Sequence, residues 1–140
     1  QNFQAISGLE EFTELKVIWL QSNALTSAKG LGHLQHLRVL YLHSNRITSL
    51  VGLEGLHNLD TLNMSTNVLH NLRGISSFKE LSNLYVAKNF LRSKEDVQEL
   101  SECKKLVVLD VSDNRLEDAD TTEILRELPE LGVLYMSGNP

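Results

Sequence analysis

Six asparagines, Asn23, Asn45, Asn67, Asn89, Asn114 and Asn139, recur at spacings of 22, 22, 22, 25 and 25 residues, and the residues around them recur in phase. Eight positions before each stands a leucine: Leu15, Leu37, Leu59, Leu81, Leu106 and Leu131. Five before come Ile18, Leu40, Leu62, Leu84, Leu109 and Leu134, and three before come Leu20, Leu42, Met64, Val86, Val111 and Met136. Two after the first five stand Leu25, Ile47, Leu69, Leu91 and Leu116. Self-similarity at such a period marks a stack of small units, each making most of its contacts with its neighbours.

Each row has a physical reason. Apolar residues five and three before the asparagine are two apart, so they share one side of a short strand. The leucine eight before precedes that strand and tucks into the same core. A single unit cannot bury its apolar face alone, so copies stack and their strands join into one parallel sheet. The asparagine stands where the chain turns away, and its amide can satisfy turn N–H and C=O groups together. Gly8-Leu9, Gly30-Leu31, Gly52-Leu53 and Gly74-Ile75 share a second phase, followed by Phe12, Leu34, Leu56 and Phe78, which predicts tight helical turns on the outer side. The longer spacings admit real helices. Ser93-Lys94-Glu95-Asp96 resembles a capping box and opens one through about Lys104, and a second is predicted from about Thr121 to Leu128, before Pro129. Cys103 continues the inward face of Val97, Leu100 and Leu106 and reads as a small buried apolar residue. The expectation is an α/β solenoid over residues 1–140: a concave parallel sheet of six strands, with short helical turns or helices on the convex side. It is read as one monomeric domain with a partial repeat first and no closing cap, continuing in both directions in the full protein; Gln1 falls at the asparagine position of that partial repeat.

Composition narrows the function. No stretch of 18 apolar residues exists to span a membrane. The single cysteine permits no intrachain disulfide and favours a reducing, cytoplasmic compartment. A net charge of −5 argues against a nucleic-acid footprint. That charge is uneven, with residues 1–94 at +3 and residues 95–140 at −8. No phosphate loop, zinc-protease helix, C-x-x-C or nucleophile elbow occurs, and the five histidines fall at different phases, so the sequence implies no cofactor, no metal site and no enzyme. Asn63-Met64-Ser65 matches a glycosylation acceptor, a pattern short enough to recur by chance.

The outward strand positions carry the functional signal. Four before each asparagine stand Trp19, Tyr41, Asn63, Tyr85, Asp110 and Tyr135, and this one row holds every Trp and Tyr of the chain. Aromatic residues suit strands in general, but that preference does not explain their confinement to one position. They predict a protein-binding stripe on the concave face, because Trp and Tyr dominate interface hot spots. Six such strands give a stripe on the order of 25 Å, and four buried aromatics supply up to roughly 600–1,000 Å², against about 800 Å² per partner in a standard interface. Val17 and Val39 make the amino-terminal end of the face apolar, His43 lies two before its asparagine, Lys16 and Arg38 stand at that same end, and Asp110 and Asp113 at the other.

The 22-residue units with Gly-Leu on the outer turn resemble the SDS-type subfamily of intracellular leucine-rich-repeat proteins. Gly8-Leu9-Glu10-Glu11-Phe12, running into Leu15-Lys16-Val17-Ile18-Trp19-Leu20-Gln21-Ser22-Asn23, is similar to the start of the leucine-rich-repeat axonemal dynein assembly factors. So is the closing stretch of Cys103, Val108-Leu109-Asp110-Val111-Ser112-Asp113-Asn114, Leu128-Pro129-Glu130-Leu131 and Gly138-Asn139-Pro140. The resemblance implies a cytoplasmic scaffold, associated with cilia or flagella, whose partners include dynein chains, chaperones or other assembly factors. A phosphatase-regulatory subunit and a ribonucleoprotein scaffold use the same repeat class and remain alternatives.

Overall fold

The computed structural model describes residues 2–117 and 119–140, so Gln1 lies outside the described residues. Six three-residue strands, β1 (Val17–Trp19), β2 (Val39–Tyr41), β3 (Thr61–Asn63), β4 (Asn83–Tyr85), β5 (Val108–Asp110) and β6 (Val133–Tyr135), form one parallel sheet in sequential order. Equivalent residues pair in strict register, Ile18 with Leu40 and onward to Leu109 with Leu134. In β1 to β5 the central residue is buried in the core and its two neighbours face away, as the strand's period of two requires, while all three residues of β6 are exposed.

The core is a single column. Leu37, Leu40, Leu42, Leu59, Leu62, Met64, Leu81, Leu84, Leu106 and Leu109 are all fully buried, and the outer-turn residues Leu31, Leu53, Ile75 and Phe78 close it from behind. The end units are less covered: Leu15, Leu20, Leu131 and Met136 are partly buried, and Leu134 is 42% exposed.

The asparagines do more than close their own turns. Asn67 donates from Nδ2 to the carbonyls of Met64 (3.0 Å) and Ser65 (3.4 Å) in its own repeat and of Leu42 (3.0 Å) in the preceding one. Its Oδ1 accepts the N–H of Ile47, also in the preceding repeat, at 2.9 Å. Asn45, Asn89 and Asn114 repeat the arrangement. Each amide thereby bolts one repeat to the one before it. Immediately before the asparagines, Ser22, Ser44, Thr66, Lys88 and Asp113 take left-handed conformations with φ of 51–58°, which makes the turn.

Opposite the sheet, the early repeats close with i→i+3 bonds such as Leu34 N–H to Leu31 O and Leu56 N–H to Leu53 O, and Ile75–Ser77 forms a single 3₁₀ turn. The helix expected from Ser93 to Lys104 is helical over most of that range but not α-helical throughout. Helix α1 covers only Lys94–Val97, and the chain then tightens into a 3₁₀ segment over Gln98–Glu102. Its cap is as read: Asp96 Oδ2 accepts the N–H groups of Ser93 (3.0 Å) and Arg92 (2.9 Å). Glu99 on the 3₁₀ segment reaches back to the Gly74 N–H and the Ser76 hydroxyl, both at 2.9 Å. Burial pushes its carboxyl upward, but those donors and the nearby Arg73 charge bring it below its ordinary value. Helix α2 runs Ala119–Arg126, two residues earlier than the pattern indicated. Cys103 is buried, donates weakly to the Ile75 carbonyl at 3.5 Å, and burial pushes its thiol up to about 11.

Gly52 has φ of 102°, and a Cβ there would come within 2.7 Å of the Lys29 Cα. Gly52→Ala is therefore expected to lose more than about 1 kcal/mol, since a left-handed L-residue alone costs roughly 1–2 kcal/mol and the backbone clash adds to it. Urea denaturation measures the loss, and an unchanged midpoint contradicts the geometry.

Candidate protein-binding face

On the open face of the sheet the aromatic row is in cross-strand register: Trp19, Tyr41, Asn63, Tyr85, Asp110 and Tyr135 are consecutive partners. The row is not one continuous stack. Trp19 and Tyr41 meet edge to face with centroids 5.2 Å apart, and Tyr41 meets the His43 ring at 6.1 Å, again edge to face. Such T-shaped pairs are favoured by the ring quadrupole. Trp19 is 67% exposed and Tyr135 52%, while Tyr41 and Tyr85 are half-buried.

Asn63 and Asp110 interrupt the rings. Each turns along its own strand end, Asn63 Oδ1 accepting the Ser65 N–H at 3.0 Å and Asp110 Oδ1 the Ser112 N–H at 2.9 Å. One Asp110 oxygen is thus committed to backbone, and the carboxylate remains half-buried at the rim. Beside the ring cluster, Val17 (47% exposed) pairs with half-buried Val39. Lys16 and Arg38 are exposed at the strand entrance, where the Lys16 carbonyl accepts the N–H groups of both Arg38 and Val39. Trp19, Tyr41, His43, Val17, Val39, Lys16 and Arg38 therefore make one corner over β1 and β2, whereas Tyr85, Asp110 and Tyr135 stand apart toward β6.

The row two before each asparagine is less open than the alternation suggests. Ala87 and Ser112 are buried and His43 is half-buried, because the chain is already turning inward there. Gln21 belongs to this corner although the aromatic pattern does not mark it. It occupies the position of His43 one repeat earlier, and Gln21 Oε1 and His43 Nδ1 are both shielded without a hydrogen-bond partner. Only repeat alignment could have flagged that pair.

Burial holds His43 below the ordinary imidazole value of 6.5. The folded protein therefore binds this proton less readily than the unfolded chain. His43 contributes stability that is full above about pH 6.5 and is lost as pH falls through its lowered folded value. An NMR titration of the imidazole is expected to place its midpoint below 6.5, and His43→Gln to remove part of the acid sensitivity of unfolding. A midpoint at or above 6.5 contradicts the packing.

Hollows of about 210 and 280 Å³ lie at the two ends, lined by Phe3, Ile6, Leu9, Leu20 and Leu25 and by Leu116, Thr121, Met136 and Asn139, away from the aromatic row. Among the described residues no three His, Cys, Asp or Glu converge as a metal site, and no helix is long and apolar enough to cross a membrane.

Comparisons with known proteins agree with this architecture. The family described as Leucine Rich repeats (2 copies) matches residues 13–54 and 35–77. The dynein axonemal assembly factor 1 homologue of Drosophila melanogaster is 54% identical over the whole chain, which spans 10% of that protein. Human dynein axonemal assembly factor 1 is 47% identical over 45 residues, 32% of this chain and 6% of that protein. The leucine-rich repeat-containing protein ODA7 of Chlamydomonas reinhardtii is 44% identical over 46 residues, 33% of this chain and 11% of its own. The chain thus spans about a tenth or less of the curated relatives it matches. Among solved structures, internalin C2 of Listeria monocytogenes superposes with a TM-score of 0.86 at 26% identity, covering 96% of this chain and 57% of that one. A leucine-rich-repeat protein of Leptospira interrogans gives 0.86 at 30% identity, covering 99% and 36%. Six in-register repeats, the asparagine ladder and these likenesses make the chain a leucine-rich-repeat solenoid, similar in sequence along its whole length to the dynein axonemal assembly factor 1 homologues of Drosophila.

Proposed function

We propose that the chain is the protein-binding scaffold of a cytoplasmic factor for the assembly of axonemal dynein arms, and that it grips its partner with the aromatic row of the sheet. The observation that carries this reading is the confinement of Trp19, Tyr41, Tyr85 and Tyr135 to one register position on the open face, in a chain similar throughout to proteins named for dynein assembly. The corner of Trp19, Tyr41, Val17 and Val39 supplies the apolar anchor, with His43 packed beneath it and Lys16 and Arg38 at its edge. Tyr85 and Tyr135 supply separate contacts further along, and Asp110 opposes the positive end, so a partner with acidic and basic ends binds in one direction. Dynein chains, chaperones and other assembly factors are the partner class, the chain acts as a monomer, and no catalytic step is involved.

The test expresses the tagged chain in flagellated cells beside a variant with Trp19, Tyr41, Tyr85 and Tyr135 changed to Ala, after circular dichroism has verified both folds. Dynein chains or assembly chaperones that co-purify with the first and are lost from the second, by about tenfold or more as expected for hot-spot aromatics, support both halves of the proposal. A phosphatase catalytic subunit or a splicing protein in their place removes the dynein reading and keeps the face. Equal recovery by both proteins removes the face.

A further inference from the structure

The flank where the chain leaves each strand gathers cations without carboxylates through the first four repeats. Positions one before, one after and three after each asparagine form it. Residues one after are tied in a row along the solenoid by their N–H groups: Arg46 to the Leu25 carbonyl, Val68 to Ile47, Phe90 to Leu69 and Arg115 to Leu91. Through the first four repeats these positions hold no carboxylate and three fixed cations, Arg46, Lys88 and Arg92, with Arg115 following in the fifth. All four are exposed, and among the described residues none is in an ion pair; the two that occur, His36–Glu14 and Lys105–Glu80, lie elsewhere. At the centre, half-buried Phe90 is stacked on the His70 ring (5.4 Å, 18°), and the Arg115 guanidinium lies over its face at 4.7 Å. A guanidinium placed over a ring face can still offer N–H groups to fork onto a carboxylate.

We propose that this flank is a second protein-binding surface, separate from the aromatic row, that takes an extended acidic segment of a partner. Four exposed cations, in no ion pair among the described residues and three of them in the net-positive stretch 1–94, form a positive run that a short series of carboxylates complements. From Arg46 to Arg115 is three repeat steps, roughly 15 Å at about 4.8 Å per strand, which an extended segment of about five residues spans with acids at alternate positions. Asp113 and Glu117 in the fifth repeat bound the run on that side. The charge of −8 on residues 95–140 opposes any polyanion, and a short acidic segment that ends at Arg115 meets less of it than a nucleic-acid strand that runs on past that end.

The experiment titrates a fluorescein-labelled peptide, Glu-Leu-Glu-Phe-Glu-Ser-Glu, into the ¹⁵N-labelled chain, following anisotropy and amide shifts. Saturable binding is expected, with shifts at Arg46, Lys88–Arg92 and Arg115. Weakening by about tenfold is expected in R46E/R92E, as is a loss of affinity between 50 and 200 mM salt that reflects screening. R115K, which keeps the charge and loses the forked guanidinium over Phe90, is expected to fall between. Trp19→Ala/Tyr41→Ala is expected to leave this binding unchanged, so failure of the aromatic-face reading and failure of this one are distinguishable. Thermal midpoints establish that each variant is folded. Binding unaffected by R46E/R92E overturns the proposal, as do shifts confined to the strands, or tighter binding of a ten-nucleotide oligothymidine than of the peptide.

Discussion

Asn67→Ala is expected to destabilise the chain by about 2–4 kcal/mol, a large share of the roughly 5–15 kcal/mol that holds a domain folded. Alanine fills less space than the amide, but the main effect is on hydrogen bonding. The buried Ile47 N–H loses the Oδ1 that accepts it at 2.9 Å, and the Leu42 and Met64 carbonyls each lose one of two asparagine donors. A buried donor left unpaired costs about 1–3 kcal/mol by itself, and the two under-satisfied carbonyls add to it. Asn63 is the control. It is half-buried, points to the open face and accepts a single N–H from Ser65, so Asn63→Ala is expected to cost under about 1 kcal/mol. Urea unfolding with matched m-values separates the two. Equal losses at both sites would show that the ladder adds nothing beyond an ordinary turn.

Leu62→Ala is expected to cost about 2–5 kcal/mol, the range for a fully buried leucine whose cavity cannot collapse. The same substitution at Leu134 is expected to cost about 1–1.5 kcal/mol, since at 42% exposure only part of the transfer free energy is at stake and no enclosed cavity is left. Both residues occupy the middle of a three-residue strand, five before an asparagine, so residue type and repeat position are held constant. Only the neighbours differ: Leu62 is paired to Leu40 and Leu84, and Leu134 to Leu109 alone. Calorimetry of the two variants tests whether stability here is a nearest-neighbour property. Comparable losses would mean that the end repeat is as tightly packed as the centre.

The parts of this molecule that sequence revealed are those set by periodicity. The six strands and the inward rows follow from spacing alone, because every copy solves the same packing problem. The helix after Ser93 was legible in place and cap but not in type, since apolar residues three and four apart serve α and 3₁₀ backbones alike. The asparagines could be assigned to turns, yet their reach into the preceding repeat depends on axial stacking that a linear spacing does not contain. At the open face, both the row of aromatics and its interruption by Asn63 and Asp110 could be read. What side-chain rotamers add is the edge-to-face contact of Tyr41 with His43 and the folding of Asn63 and Asp110 onto the Ser65 and Ser112 amides. The Phe90 stack is not displayed by any single row, because Phe90 and Arg115 stand one after their asparagines and His70 three after its own.

Strands of three residues commit only one side chain each to the interior. The remaining two face away from the leucine column, and their cross-repeat contacts are with one another, as in Trp19–Tyr41 and Asn83–Thr61. A scaffold divided in this way can acquire a new specificity through independent single steps, each leaving a foldable intermediate. Its recognition code is in effect written on a page separate from the binding that holds the book together.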